Sequence, residues 1–109
     1  MSSKTRDFVQ KVAVSRGWIL QSDQTFLETL IAGLTQTKES NGYYLCPCRE
    51  GWGIREKDRD IICPCEYAVA DIEEFGHCYC ALFQSKDYAS SKKAPQSIPE
   101  RRPDELFPD

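Results

Sequence analysis

The sequence predicts a mainly α fold, one small domain of about three to five helices whose loops fold around an inorganic centre. Three observations carry this expectation. Apolar residues recur at helical spacing in three separate stretches. All six cysteines fall between Cys46 and Cys80. The chain has 109 residues, enough for one domain with a modest core that a bound metal group would help to stabilise.

The first helix is expected over residues 4–16, capped by Ser2 or Ser3, with Phe8, Val9, Val12 and Ala13 as its apolar face and Gly17 as its stop. Trp18-Ile19-Leu20 reads as a buried connector. Ser22 or Asp23 caps the second and strongest helix. Its face is Phe26, Leu27, Leu30, Ile31 and Leu34; it fades before Asn41-Gly42 and should pack behind the cysteine loops. The third is expected over residues 66–75, with Tyr67, Ala68, Val69, Ile72 and Phe75 mainly inward and Gly76 as its end. Glu66, Asp71, Glu73 and Glu74 should face water. Between the helices, Gly51-Trp52-Gly53 is a loop without the third glycine of a nucleotide motif, and Trp52 either packs, covers the centre or faces a partner. Residues 55–60 alternate in sign, the pattern of a solvated face, and their three basic residues are candidates for steering an acidic partner. From residue 90 onward Ser, Lys, Pro and Arg describe an extended tail anchored by Ile98, Leu106 and Phe107.

Composition excludes several functions. Charged residues make up 28% and the net charge is −3, which gives no support for nucleic-acid binding. No apolar run approaches the ~18 residues of a membrane span. Residues 1–7 run straight into an amphipathic pattern with no signal or transit peptide, so a cytoplasmic, prokaryotic setting is expected.

The cysteines form three Cys-x-Cys pairs: Cys46-Pro47-Cys48, Cys63-Pro64-Cys65 and Cys78-Tyr79-Cys80. A disulfide within such a pair is strained, so each pair must look to another pair or to a metal. Four thiolates hold an iron–sulfur cluster, which leaves two for a disulfide/dithiol couple. Zinc also takes four, but its commoner spacing is C-x₂₋₄-C. Three structural disulfides suit a secreted chain better than a cytoplasmic one. Spacing and compartment favour the cluster, with the other two readings open. The same residues admit three functions: a disulfide reductase, a small electron carrier with two inert cysteines, and a zinc-stabilised interaction module. Arg49, next to Cys48, either lowers the pKa of that thiol, points into solvent or meets an acidic partner. His77 reads as a proton donor, a metal ligand or an ordinary surface histidine, and Tyr79 as a hydrogen-bond donor to sulfur or a packing residue.

The order Cys-Pro-Cys-Arg, Cys-Pro-Cys and Cys-x-Cys followed by Ala81-Leu82-Phe83 resembles the catalytic (beta) chain of ferredoxin:thioredoxin reductase and the related prokaryotic ferredoxin:disulfide reductases. The likeness runs from near Asp23 to Ile98-Pro99-Glu100. It implies one [4Fe-4S] cluster held by Cys46, Cys63, Cys65 and Cys78, and a redox-active pair formed by Cys48 and Cys80. It implies that Cys48 attacks a substrate disulfide and Cys80 resolves the mixed disulfide, with electrons arriving one at a time. The implied partners are ferredoxin or a similar low-potential donor and a thioredoxin-like disulfide protein. Plant-type relatives add a variable subunit that some prokaryotic ones lack. The third pair departs from the family's common Cys-His-Cys: Tyr79 stands at the centre and His77, the sole histidine, one place earlier. Residues 1–89 are then expected to form the cluster-binding catalytic domain and residues 90–109 the tail.

Overall fold

In a computed structural model, which describes residues 3–108, the expected helical fold is realised, with four of the cysteines packed into its core. Among the described residues there are five α-helices: α1 (Ser3–Arg16), α2 (Gln24–Asn41), α3 (Arg55–Asp58), α4 (Ala68–Phe75) and α5 (Lys86–Ser91). Two short strands, β1 (Ile19–Leu20) and β2 (Phe83–Gln84), pair antiparallel, with Leu20 opposite Phe83.

Helix α2 is the spine, as its periodicity predicts. Asp23 caps it by accepting from the Phe26 N–H at 3.1 Å, and Gly42 ends it in the left-handed region at φ 84°. Leu27, Leu30, Ile31 and Leu34 are buried along one face. Each stabilises the fold by about 1.5–3 kcal/mol relative to exposure. Helix α1 lays Val9 and Ala13 into the same core, and Phe8 stacks on Tyr44 with ring centroids 4.5 Å apart. Because α1 already includes Ser3, the alternative cap at Ser2 lies outside the described residues.

Several local expectations change. The third helix starts at Ala68 rather than residue 66, because the Ala68 N–H first closes a turn on the Cys65 carbonyl at 3.1 Å. Its Val69 points outward and its Asp71 is fully buried, paired with Arg101 of the C-terminal segment. Within the alternating run, Asp58 is also fully buried and accepts from the Tyr43 hydroxyl and the Trp52 and Gly53 N–H groups at 2.7–3.0 Å. A solvated run thus supplies a buried tie for the Trp52 loop. Ile19 of the expected buried connector faces solvent as part of β1. At Gly76, φ is 91° and a Cβ would lie 2.3 Å from the Tyr88 ring, so only glycine lets α5 close over the end of α4.

Candidate functional site

The first two cysteine pairs meet through an isolated antiparallel bridge between Leu45 and Ile62. The Cys46 N–H donates to the Ile61 carbonyl at 3.0 Å and the Cys63 N–H to the Tyr44 carbonyl at 2.7 Å. Helix α2 fixes this bridge from behind. Thr37 Oγ1 accepts from the Leu45 N–H at 3.1 Å, and a Cβ on Gly33 would lie 3.0 Å from the Pro47 ring. The Cys63–Pro64 peptide bond is cis. The third pair sits on a tight turn closed by the Ala81 N–H donating to the Cys78 carbonyl at 2.8 Å. Ala81 takes φ 64° there, a left-handed conformation costing about 1 kcal/mol for a residue with a Cβ. The Phe83 N–H returns to donate to Cys78 Sγ at 3.4 Å.

Five thiols, Cys46, Cys63, Cys65, Cys78 and Cys80, line one small cavity of about 10 Å³. The sixth, Cys48, opens onto a neighbouring surface groove, and Cys80 and Tyr79 line both spaces. Cys48 is exposed, Cys65 half-buried and the other four buried. Cys80 Sγ lies 4.0 Å from Cys78 Sγ.

The thiols differ electrostatically. The hydrogen bond from Cys80 lowers the pKa of Cys48, against the opposing pull of burial, and Arg49 adds to the lowering. Cys80 itself is pushed well up by donating toward Cys46, Cys48 and Cys78 and by burial. Burial raises Cys63, and raises Cys65 to about 11 with Arg49 opposing. Among the described residues, no three His, Cys, Asp or Glu side chains are arranged to hold a single metal ion.

Arg49 neither reaches solvent nor stands apart from the thiols: its side chain is 1% exposed. Nε and Nη2 donate to the two oxygens of Glu100 at 2.7 Å each, while Nη1 donates to Cys65 Sγ at 3.2 Å and Cys46 Sγ at 3.7 Å. Its guanidinium carbon is 4.4 Å from the centroid of the half-buried Tyr79 ring. Burial opposes its charge, but Glu100 and the nearby sulfurs outweigh this and hold it firmly protonated. His77 is buried with both ring nitrogens engaged. Nδ1 sits 2.7 Å from the Cys78 carbonyl, so it carries the proton and donates, and Nε2 accepts from the Gln96 N–H at 3.2 Å. Glu100, Gln96 and Thr37 were not singled out by the sequence pattern. The one available signal was Glu100-Arg101-Arg102, three consecutive charges enclosed by Pro99 and Pro103.

Fold and site define a small helical thiol protein in which buried sulfurs surround a cavity and one reaches a surface groove. Residues 1–102 match the ferredoxin thioredoxin reductase catalytic beta chain family, and the chain belongs to that family of oxidoreductases. No curated protein sequence matches it.

Proposed function

We propose that the chain is an iron–sulfur disulfide reductase in which four cysteines hold a cluster and two exchange disulfides. The observation that carries this reading is the position of Cys80, shared between the cavity lined by the other buried thiols and the groove where Cys48 meets solvent. Cys46, Cys63, Cys65 and Cys78 would hold a [4Fe-4S] cluster; four thiols around one cavity, with Arg49 donating to two of them, suit such a group. When bound, the cluster supplies a one-electron relay between a ferredoxin-like donor and a reaction that needs two electrons.

The chain's own residues account for the exchange chemistry. Cys48, the exposed thiol, whose pKa is lowered, attacks one sulfur of a thioredoxin-like protein disulfide. A bond forms between Cys48 Sγ and that sulfur, and the other substrate sulfur leaves as a thiolate and takes a proton. Cys80, whose raised pKa keeps it protonated at first, loses its proton and attacks Cys48 Sγ. The Cys48–Cys80 disulfide forms, the second substrate thiol is released, and two electrons have moved to the substrate. An inert pair, as in a simple electron carrier, gives no reason for Cys48 to be exposed beside its partner. His77, with both nitrogens held by backbone groups, acts on this reading as the anchor of the C-terminal segment.

On another face Arg16, Arg55 and Arg59 surround Cys63 and Pro64, with Glu56 the one acidic residue among them. This basic rim beside a proposed ligand supports docking of an acidic donor by electrostatic steering. No described helix is long and apolar enough to cross a membrane. The test is anaerobic reduction of thioredoxin by chemically reduced ferredoxin. Wild type should catalyse it and both Cys48→Ser and Cys80→Ser should not; a fully active Cys48→Ser protein overturns the reading.

A further inference from the structure

The Arg49–Glu100 pair is more elaborate than a thiol exchange requires, since neither residue lines the groove at Cys48. Its guanidinium is divided. One edge is fixed by Glu100 through two 2.7 Å hydrogen bonds, and the opposite nitrogen, Nη1, is aimed at Cys65 and Cys46. The bidentate carboxylate pairing sets the plane of the group, so Nη1 cannot turn away without breaking it.

Resting on the iron–sulfur reading, we propose that Arg49 sets the reduction potential of the bound cluster and that Glu100 positions it to do so. Hydrogen bonds to ligand sulfurs, net charge and solvent exposure are the terms that set such potentials. A buried cation donating to two thiolates favours the state carrying one more electron and so raises the potential. As a bare negative charge Glu100 would act in the opposite direction. As the group that orients Nη1, it acts in the same direction as Arg49, so the sign of its effect separates the two roles. Glu100 belongs to the C-terminal segment that also places Arg101 on Asp71 and Arg102 on Asp60. The potential therefore depends on that segment being seated.

The test uses the full chain, purified anaerobically with its cluster, as wild type, Arg49→Gln, Arg49→Lys and Glu100→Gln. Midpoint potential by redox titration is measured with iron and sulfide content on the same samples. Arg49→Gln should shift the potential negative at unchanged iron content, Arg49→Lys should shift it less, and Glu100→Gln should also shift it negative. An unchanged potential in an iron-replete Arg49→Gln overturns the proposal, as does a positive shift in Glu100→Gln. If Arg49→Gln loses its iron while Arg49→Lys keeps both iron and the wild-type potential, Arg49 only holds the fold and the proposal fails. Absence of iron from the wild type overturns the iron–sulfur reading itself, which the content measurement reports separately.

Discussion

The guanidinium of Arg102, fully buried, donates through Nε and Nη2 to the two carboxylate oxygens of Asp60 at 2.8 and 3.1 Å. Asp60 lies just before the second cysteine pair, and its carboxylate also accepts from the Tyr67 hydroxyl at 2.7 Å. The C-terminal segment thereby clamps the loop that carries Cys63 and Cys65. Arg102→Ala leaves a carboxylate short of its partner and should cost about 3–5 kcal/mol in urea unfolding. Arg102→Lys should restore little, because an ammonium cannot reproduce the two-bond pairing. The exposed Arg6–Glu28 pair is the contrast: Arg6→Ala should cost at most about 1 kcal/mol.

Cys48 in the groove and Cys80 behind it predict an asymmetric trap. Cys80→Ser protein, mixed with an oxidised thioredoxin-like substrate, should accumulate a covalent one-to-one adduct through Cys48, visible on non-reducing gels. Cys48→Ser should give none. Adducts of equal yield from both variants would show that either sulfur can attack.

His77 is committed to the Cys78 carbonyl and the Gln96 N–H. His77→Phe leaves the Gln96 N–H unpaired and the Cys78 carbonyl with only the Ala81 N–H, and should lower stability by about 1–3 kcal/mol. The pH profile of disulfide reduction should keep its shape. A limb of that profile that disappears with His77 would assign the ring a proton-transfer role.

Acid should release the C-terminal segment. Burial pushes the carboxyl of Glu100 up, but its bonds to Arg49 outweigh burial and hold it below its ordinary 4.5; Asp60, bonded to Arg102 and Tyr67, is likewise held below 3.8. Carboxyls depressed by folding stabilise the protein fully above those ordinary values, and the stabilisation is lost as pH falls through the folded values. Unfolding midpoints should therefore be flat from pH 7 to about 5 and fall below about pH 4.5, less steeply in Glu100→Gln.

Much of the frame was legible because it rests on local rules. The Asp23 cap, the apolar face of α2 and the stop at Gly76 depend on neighbours a few residues apart, and all three appear, while α2 runs one residue further than expected, through Asn41. What could not be read depends on partners far along the chain. Asp58 and Asp71 look like solvated charges until Tyr43 and Arg101 are brought to them. The segment after residue 90 was expected to be anchored by Ile98, Leu106 and Phe107; Ile98 is buried, but Leu106 is exposed and Arg102 is the deepest anchor. At the site, three Cys-x-Cys pairs announced a common centre, whereas Arg49 had three open readings. Its choice between solvent, acid and sulfur was fixed only by Glu100, 51 residues away.

The central claim, that four sulfurs grip iron while two exchange disulfides, is tested most directly by iron and acid-labile sulfide in anaerobically purified wild type, Cys48→Ser and Cys63→Ser. About four of each per chain are predicted in the first two, with loss in the third. Stoichiometric zinc in the native protein, or equal iron loss from both variants, would contradict the account.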